Sequence, residues 1–349
     1  MKILTMKILS AISIILFTVF GLLMSYTDIR YKKAYNKFVV FFMPIGVAIQ
    51  VLSILLSNEY FSQIVLNLTL ISLISILFYV FRVWAAGDAK VTIVMMLLIS
   101  YNIYGKQKLI PALYIIGFTF TIALIYILID SIYLCACDIR KKAVISVKDF
   151  FPSLTSETII SCVMLYVTVD SSDQLISSIQ WDGINNPLVF ALFNIFLIAF
   201  ISSLVKTKTQ KLYLLIFSLA LRILLLIFVT TSISSLFNIF LVIIAQIARQ
   251  FVNRYNNITI STSEIKAGDV LTRESLIFML PSKVNGLPKY TDETTKCRIS
   301  DSEAEAVKRW ETSKYGQPQI KIVRTIPFVP FIFLGFATSI LFLNIYGAY

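Results

Sequence analysis

The chain has 349 residues, 58% of them hydrophobic and 14% charged, with 31 basic against 19 acidic side chains and a formal charge of +12. Soluble domains average roughly 45–50% apolar and about 25% charged residues, so the composition points to lipid. The absence of histidine excludes Ser-His-Asp and Cys-His catalysis, histidine-ligated zinc and a histidine pH switch.

In chain order, apolar runs at residues 8–25, 38–56, 65–81, 91–104, 110–135, 154–169, 188–205, 212–231, 235–248 and 326–345 predict about ten transmembrane helices, since about 20 helical residues cross the hydrocarbon core. The fold class expected is therefore an all-α polytopic membrane protein. The first run follows Lys2 and Lys7 and has no small-x-small cleavage site before Asp28, so it is expected to be a retained helix. The fourth run is short, the sixth carries Glu157 and the ninth is short as well; these are the runs least suited to spanning fully.

Charge is unevenly distributed between loops. Arg30, Lys32, Lys33 and Lys37 follow the first run, Arg82 and Lys90 flank the third and fourth, and Arg140, Lys141 and Lys142 follow the fifth. Lys206, Lys208, Lys211, Arg249 and Arg254 fall on that same side by alternation, whereas Glu59, Asp170, Asp173 and Asp182 fall on the other. The positive-inside rule then places the basic loops in the cytoplasm and the N-terminus outside a cell membrane, so the excess charge reflects loops at a lipid surface rather than nucleic-acid binding.

Four parts are expected: residues 1–140 as a membrane core, 141–251 as further membrane helices, 252–325 as a small cytoplasmic α+β domain, and 326–349 as the last membrane helix. Within 252–325, residues 300–311 have good helix formers with acidic residues early and basic ones late, while residues 258–260 and 320–323 read as strands. Cys135, Cys137, Cys162 and Cys297 form no C-x-x-C pair, so no zinc or redox motif is suggested and no metal or cofactor is expected.

Ionisable groups within or at the ends of membrane helices are costly and are functional candidates by default. Here they are Asp28, Asp88, Asp130, Asp138 and Arg222. Asp130 reads as a structural hydrogen-bonding carboxyl, Asp138 as a loop charge whose Asp-Ile-Arg setting echoes that of Asp28, and Arg222 as a cation that must find a partner within the bundle. Asp28 and Asp88 lie at the same expected membrane depth. Two carboxyls within hydrogen-bonding reach share a proton, so that one acts as acid and the other as base on a bound water, the chemistry of an aspartyl protease. Gly87 beside Asp88 allows close backbone approach or a positive φ.

These residues resemble the membrane aspartyl proteases that process type IV prepilins and archaeal preflagellins, whose motifs read D-x-R-x-x-x-I-P-N and G-x-G-D-x-K-[LV]. Asp28, Arg30 and Asn36 match the first, and Gly87, Asp88, Lys90 and Val91 the second. Departures are Ala34 and Tyr35 at the Ile-Pro positions and Ala85 at the first Gly. The resemblance covers about residues 8–140 and implies a catalytic pair of Asp28 and Asp88, supported by Arg30, Asn36, Gly87 and Lys90. It further implies an aspartic endopeptidase that removes the short basic leader of pilin-like or archaellin-like precursors at the cytoplasmic face. The cysteine-bearing insertion of bifunctional members is absent, so peptidase activity without methyl transfer is expected. Two other classes are compatible with the residues alone: a secondary transporter or channel using its carboxyls along an ion path, and a catalytically silent assembly subunit.

Overall fold

The computed structural model describes residues 2–56, 61–81, 83–104, 111–140, 156–178, 187–205, 207–228, 236–255, 257–288, 298–324 and 326–346. In chain order these form α1 (Lys2–Tyr31), α2 (Asn36–Leu56), α3 (Phe61–Val80), α4 (Ala86–Leu98), α5 (Pro111–Arg140), α6 (Ser156–Ser178), α7 (Pro187–Leu204), α8 (Lys208–Phe228), α9 (Leu236–Tyr255), β1 (Asn257–Ser261), β2 (Val270–Leu271), α10 (Arg273–Met279), α11 (Asp301–Glu311), β3 (Gln319–Val323) and α12 (Val329–Tyr346).

The protein is predominantly helical, and among the described residues four helices, α1, α2, α3 and α5, are long and apolar enough to cross a membrane. Shorter apolar helical stretches lie at Phe193–Ser202, Asn238–Ile247 and Val329–Asn344. The expectation of ten spans thus reduces, as a structural statement, to four helices of membrane-crossing length and composition. These helices present large apolar side chains outward, with Leu55 75%, Val40 69% and Phe41 65% exposed, a surface suited to lipid and unfavourable in water.

The chain divides into two compact units. The first comprises residues 1–130, 144–248 and 327–349. Its central element is α4, flanked by α1, α2, α3 and α12. At 13 residues this helix is only about 20 Å long, short of a hydrocarbon core of about 30 Å. Its C-terminal carbonyls would be stranded in an apolar interior without partners. Buried Gln50 of α2 supplies them: its Nε2 lies 2.8 Å from the carbonyls of Leu97 and Ile99 and 3.3 Å from that of Met96. Ser13 of α1 donates to the Leu98 carbonyl and accepts from the Ser100 amide, each at 2.7 Å. The expected fourth run of 91–104 is therefore two elements, a helix that starts five residues earlier than its apolar stretch and a short 3-10 turn at Tyr101–Tyr104.

Other helices, α1 and α6 among them, also outrun their apolar runs. α1 continues through Asp28 and Arg30 to Tyr31, where Lys32 turns the chain with φ 52° and its amide donates to the Asp28 carbonyl at 2.9 Å. α6 continues through Asp170 and Asp173, which sequence alone assigned to a loop. Asp170 pairs with Arg222 and Asp173 accepts from two asparagine amides inside the bundle, as described below, so hydropathy underestimates the helix.

The second unit comprises residues 131–143 and 249–326. Its three strands form an antiparallel sheet in the order β1-β3-β2, with Ile258 opposite Ile322 and Ile260 opposite Ile320. Trp310 of α11, fully buried, packs with Ile265, Leu271, Met279, Ile299, Val307 and Ile320. The start of α11 is fixed by Ser300, whose hydroxyl accepts from the Glu303 amide at 3.3 Å while Glu303 Oε2 accepts from the Ser300 amide at 2.8 Å, a reciprocal cap. Gly316 passes so close to the end of α11 that a Cβ there would lie 2.1 Å from the Glu311 carbonyl.

Candidate functional site

Asp28 occupies the last turn of α1 and is half-buried. Its Oδ2 accepts from the backbone amide of Val329 at 3.0 Å. Val329 is the first residue of α12 and is fully buried; its N–H is one of the amides a helix cannot satisfy internally, and a carboxylate favours this end of the helix dipole. Asp28 thus caps a helix 301 residues away in sequence.

Asp88 lies in the first turn of α4, also half-buried. Its Oδ2 accepts from the Ala85 amide at 3.1 Å, and the Thr92 hydroxyl donates to the Asp88 carbonyl at 2.8 Å. Each aspartate therefore sits at the N-terminus of a helix. Asp28 does so in trans, and Asp88 within its own helix.

The segments carrying the two motifs meet. A Cβ added at Gly87 would stand 2.8 Å from the Cβ of Ala34, tighter than carbon atoms pack. Gly87 works through this proximity; the glycines with positive φ among the described residues are Gly268 and Gly286. The small Ala34 is the side chain that Gly87 faces. Three residues after Gly87, Lys90 donates through Nζ to Asn36 Oδ1 at 3.1 Å across the same junction. Four motif-bearing positions are thereby joined in two contacts. Arg30, by contrast, is exposed and lies with its guanidinium carbon 5.9 Å from the Tyr31 ring.

The connection between α1 and α2 is held by ring contacts that run from Tyr26 to Tyr31, Tyr35 and Phe38, with centroids 6.5, 6.0 and 6.5 Å apart. Tyr35 thus takes part in packing. The segment before α4 is anchored differently. Trp84, which precedes α4, is 4% exposed. It packs edge-on against Phe78 at 4.8 Å, stacks on Phe120 at 6.1 Å and meets Phe328 at 5.9 Å. Phe328 immediately precedes Val329, so the start of α12 touches the first motif through Asp28 and, through Trp84, the residue just before the second.

The Val329 amide is the partner of Asp28 that the sequence did not reveal. Its signal was present in Pro327 and Pro330, since proline favours the first turn of a helix and marks where α12 begins with unsatisfied amides. Asp130 lies half-buried in α5. Asp138 falls in the last turn of α5, with its side chain outside the described residues. No group of three or more Cys, Asp or Glu side chains among the described residues is arranged to hold a metal ion, and Cys135, Cys137 and Cys162 are free thiols.

Because the junction tolerates almost no volume, Gly87→Leu is expected to push α4 away from the α1–α2 connection. A displacement of about 1 Å at a reacting group can cost about 10²-fold in rate, so any activity of this site should fall by that order while the chain still inserts. Activity per inserted molecule, measured beside Gly87→Ala and the relieved double variant Gly87→Ala/Ala34→Gly, checks this; equal activity in Gly87→Leu and wild type would refute it.

No family model matches the chain, and neither a curated protein nor a solved structure resembles it at a significant level.

Proposed function

We propose that this protein is an intramembrane aspartic endopeptidase in which Asp28 and Asp88 form the catalytic pair. The observation that carries the reading is the junction of the two motif segments, Gly87 against Ala34 and Lys90 bonded to Asn36, with both aspartates half-buried beside it. In the proposed mechanism one carboxylate removes a proton from a water as it attacks the scissile carbonyl, and the protonated partner donates to the carbonyl oxygen and then to the leaving amine. Gly87 and the Lys90–Asn36 bond hold the start of α4, which carries Asp88, beside the α1–α2 connection, and the Val329 amide orients Asp28. Arg30 and Lys90 stand where lipid headgroups would meet the helix ends.

The substrates in this reading are pilin-like or archaellin-like precursors, cut where a short basic leader meets a hydrophobic helix at the cytoplasmic face of the cell membrane. Charge supports that side, because Arg30, Lys32, Lys33 and Lys37 surround the α1 end as the positive-inside rule expects. The test is co-expression with a panel of leader-bearing precursors, with mass spectrometry of their N-termini. Wild type should release the leader at one bond, and a chain carrying both Asp28→Asn and Asp88→Asn should not. Leader release by that inserted double variant would overturn the proposal.

A further inference from the structure

A second polar cluster lies outside the proposed peptidase site, at one end of the α6–α9 helices. Asp170 and Asp173 come from the later part of α6, Asn194 from the early part of α7, Arg222 from the later part of α8 and Asn238 from the start of α9. Alternating chain direction brings these positions to a common level, above an apolar layer of Met164, Leu165, Val169, Ile198, Ile201 and Val242. Asp170, Asn194 and Asn238 are 5%, 1% and 4% exposed.

Arg222 Nη2 lies 3.0 Å from Asp170 Oδ2, which gives the cation its partner and cancels one carboxylate. Asp173 remains. Its Oδ2 accepts from Asn238 Nδ2 at 2.7 Å and from Asn194 Nδ2 at 3.0 Å. Its Oδ1 and the Oδ1 of Asn194, both shut off from solvent, accept no hydrogen bond. Buried oxygen acceptors without donors are uncommon and call for an explanation such as an ion. The charges supply one: with Asp170 and Arg222 paired, the described residues at this level carry one uncompensated negative charge, and burying it unpaired is costly. α7 contains no ionisable residue; Lys208 and Lys211 of α8, Arg249 and Arg254 of α9 and Glu157 of α6 lie toward the opposite helix ends.

We propose that Asp173, with the carbonyl oxygen of Asn194, forms a binding site for one monovalent metal cation of the sodium class, held within the α6–α9 bundle. Oxygen-only ligation selects a hard cation over a soft transition metal, and a single uncompensated charge selects a monovalent over a divalent ion. The Asn194 and Asn238 amides orient Asp173 so that one oxygen is turned to them and the other to the ion. The Asp170–Arg222 pair, one helical turn away, keeps a second carboxylate from competing for it.

The experiment uses the full chain in detergent or nanodiscs, with thermal unfolding followed while NaCl or KCl replaces choline chloride at constant ionic strength, and with radiolabelled sodium binding measured directly. A ligand that binds the folded state raises Tm saturably. The expected result is a rise of at least about 4 °C in wild type, one sodium bound per chain, and loss of both in Asp173→Asn, whose Tm without sodium matches that of sodium-saturated wild type because the charge is gone. Asn194→Ser, which withdraws one oxygen ligand, should raise the half-maximal sodium concentration by about tenfold and serves if Asp173→Asn does not insert. Three results would each overturn the proposal: no dependence on either cation, unchanged dependence in Asp173→Asn or in Asn194→Ser, or a wild-type Tm that follows pH instead of cation, which would make a proton the neutralising charge.

Discussion

Asp28→Asn and Asp88→Asn are each expected to reduce leader removal by about 10²–10⁴-fold, the range for losing a positioned acid or base. Combining them should cost little more than either alone. An acid and a base that share one proton work as a unit, and removing the second member of a disabled unit loses nothing further, so such effects are strongly non-additive. Asparagine keeps the shape of the carboxyl and can still accept from the Val329 amide at position 28 or the Ala85 amide at position 88. The folded helices should therefore persist, and the loss should lie in chemistry. Quantifying processed precursor per inserted molecule for the single and double variants measures this. A double variant whose loss is the product of the single losses would show that the two carboxyls act independently, which the shared-proton mechanism does not allow.

The second large effect concerns the compact unit around the three-stranded sheet. Trp310→Ala should destabilise that unit by about 3–5 kcal/mol, the cost of truncating a fully buried large aromatic side chain and leaving a cavity. The Trp310 side chain is fully buried and packs with Leu271 and Ile320 of the sheet, Met279 of α10 and Ile265, so few neighbours can collapse into the space without breaking the sheet. The reciprocal Ser300–Glu303 cap and the tight passage at Gly316 hold α11 in place and limit such relaxation. Hydrogen exchange should show amides of β1 and β3 losing protection while those of α2 and α3 keep theirs. Equal protection in variant and wild type would mean that this core is not what stabilises the sheet. Measuring leader removal in the same variant then reads whether the proposed peptidase needs this unit folded.

Much of the architecture was legible because helix propensity and hydropathy are local. The runs at 38–56 and 65–81 match α2 and α3, and that at 110–135 most of α5, each apolar through most of its length. The strands at 258–260 and 320–323 and the helix at 300–311 were equally plain, since helix formers and dipole-matched charges are written in adjacent residues. Local signals failed where burial was paid by a distant partner. α6 runs on to Ser178 because Arg222, Asn194 and Asn238 receive Asp170 and Asp173, and no window of α6 contains those residues. α4 stops at Leu98 because Gln50 and Ser13 take its last carbonyls, a role that hydropathy scores only as two polar interruptions of other helices.

The candidate site divides in the same way. The sequence by itself determined which residues are chemically able to act: with no histidine in the chain, Asp28 and Asp88 at helix ends were the carboxyls that motif spacing singled out, and Gly87 was marked as a place of close approach. Only the tertiary structure decided what Gly87 approaches, that Lys90 bonds Asn36, that Arg30 stays exposed, and that the first amide of α12 holds Asp28. The physical reason is that residue type and spacing fix local conformation and available chemistry, whereas the pairing of a buried polar group depends on which helix end is packed beside it.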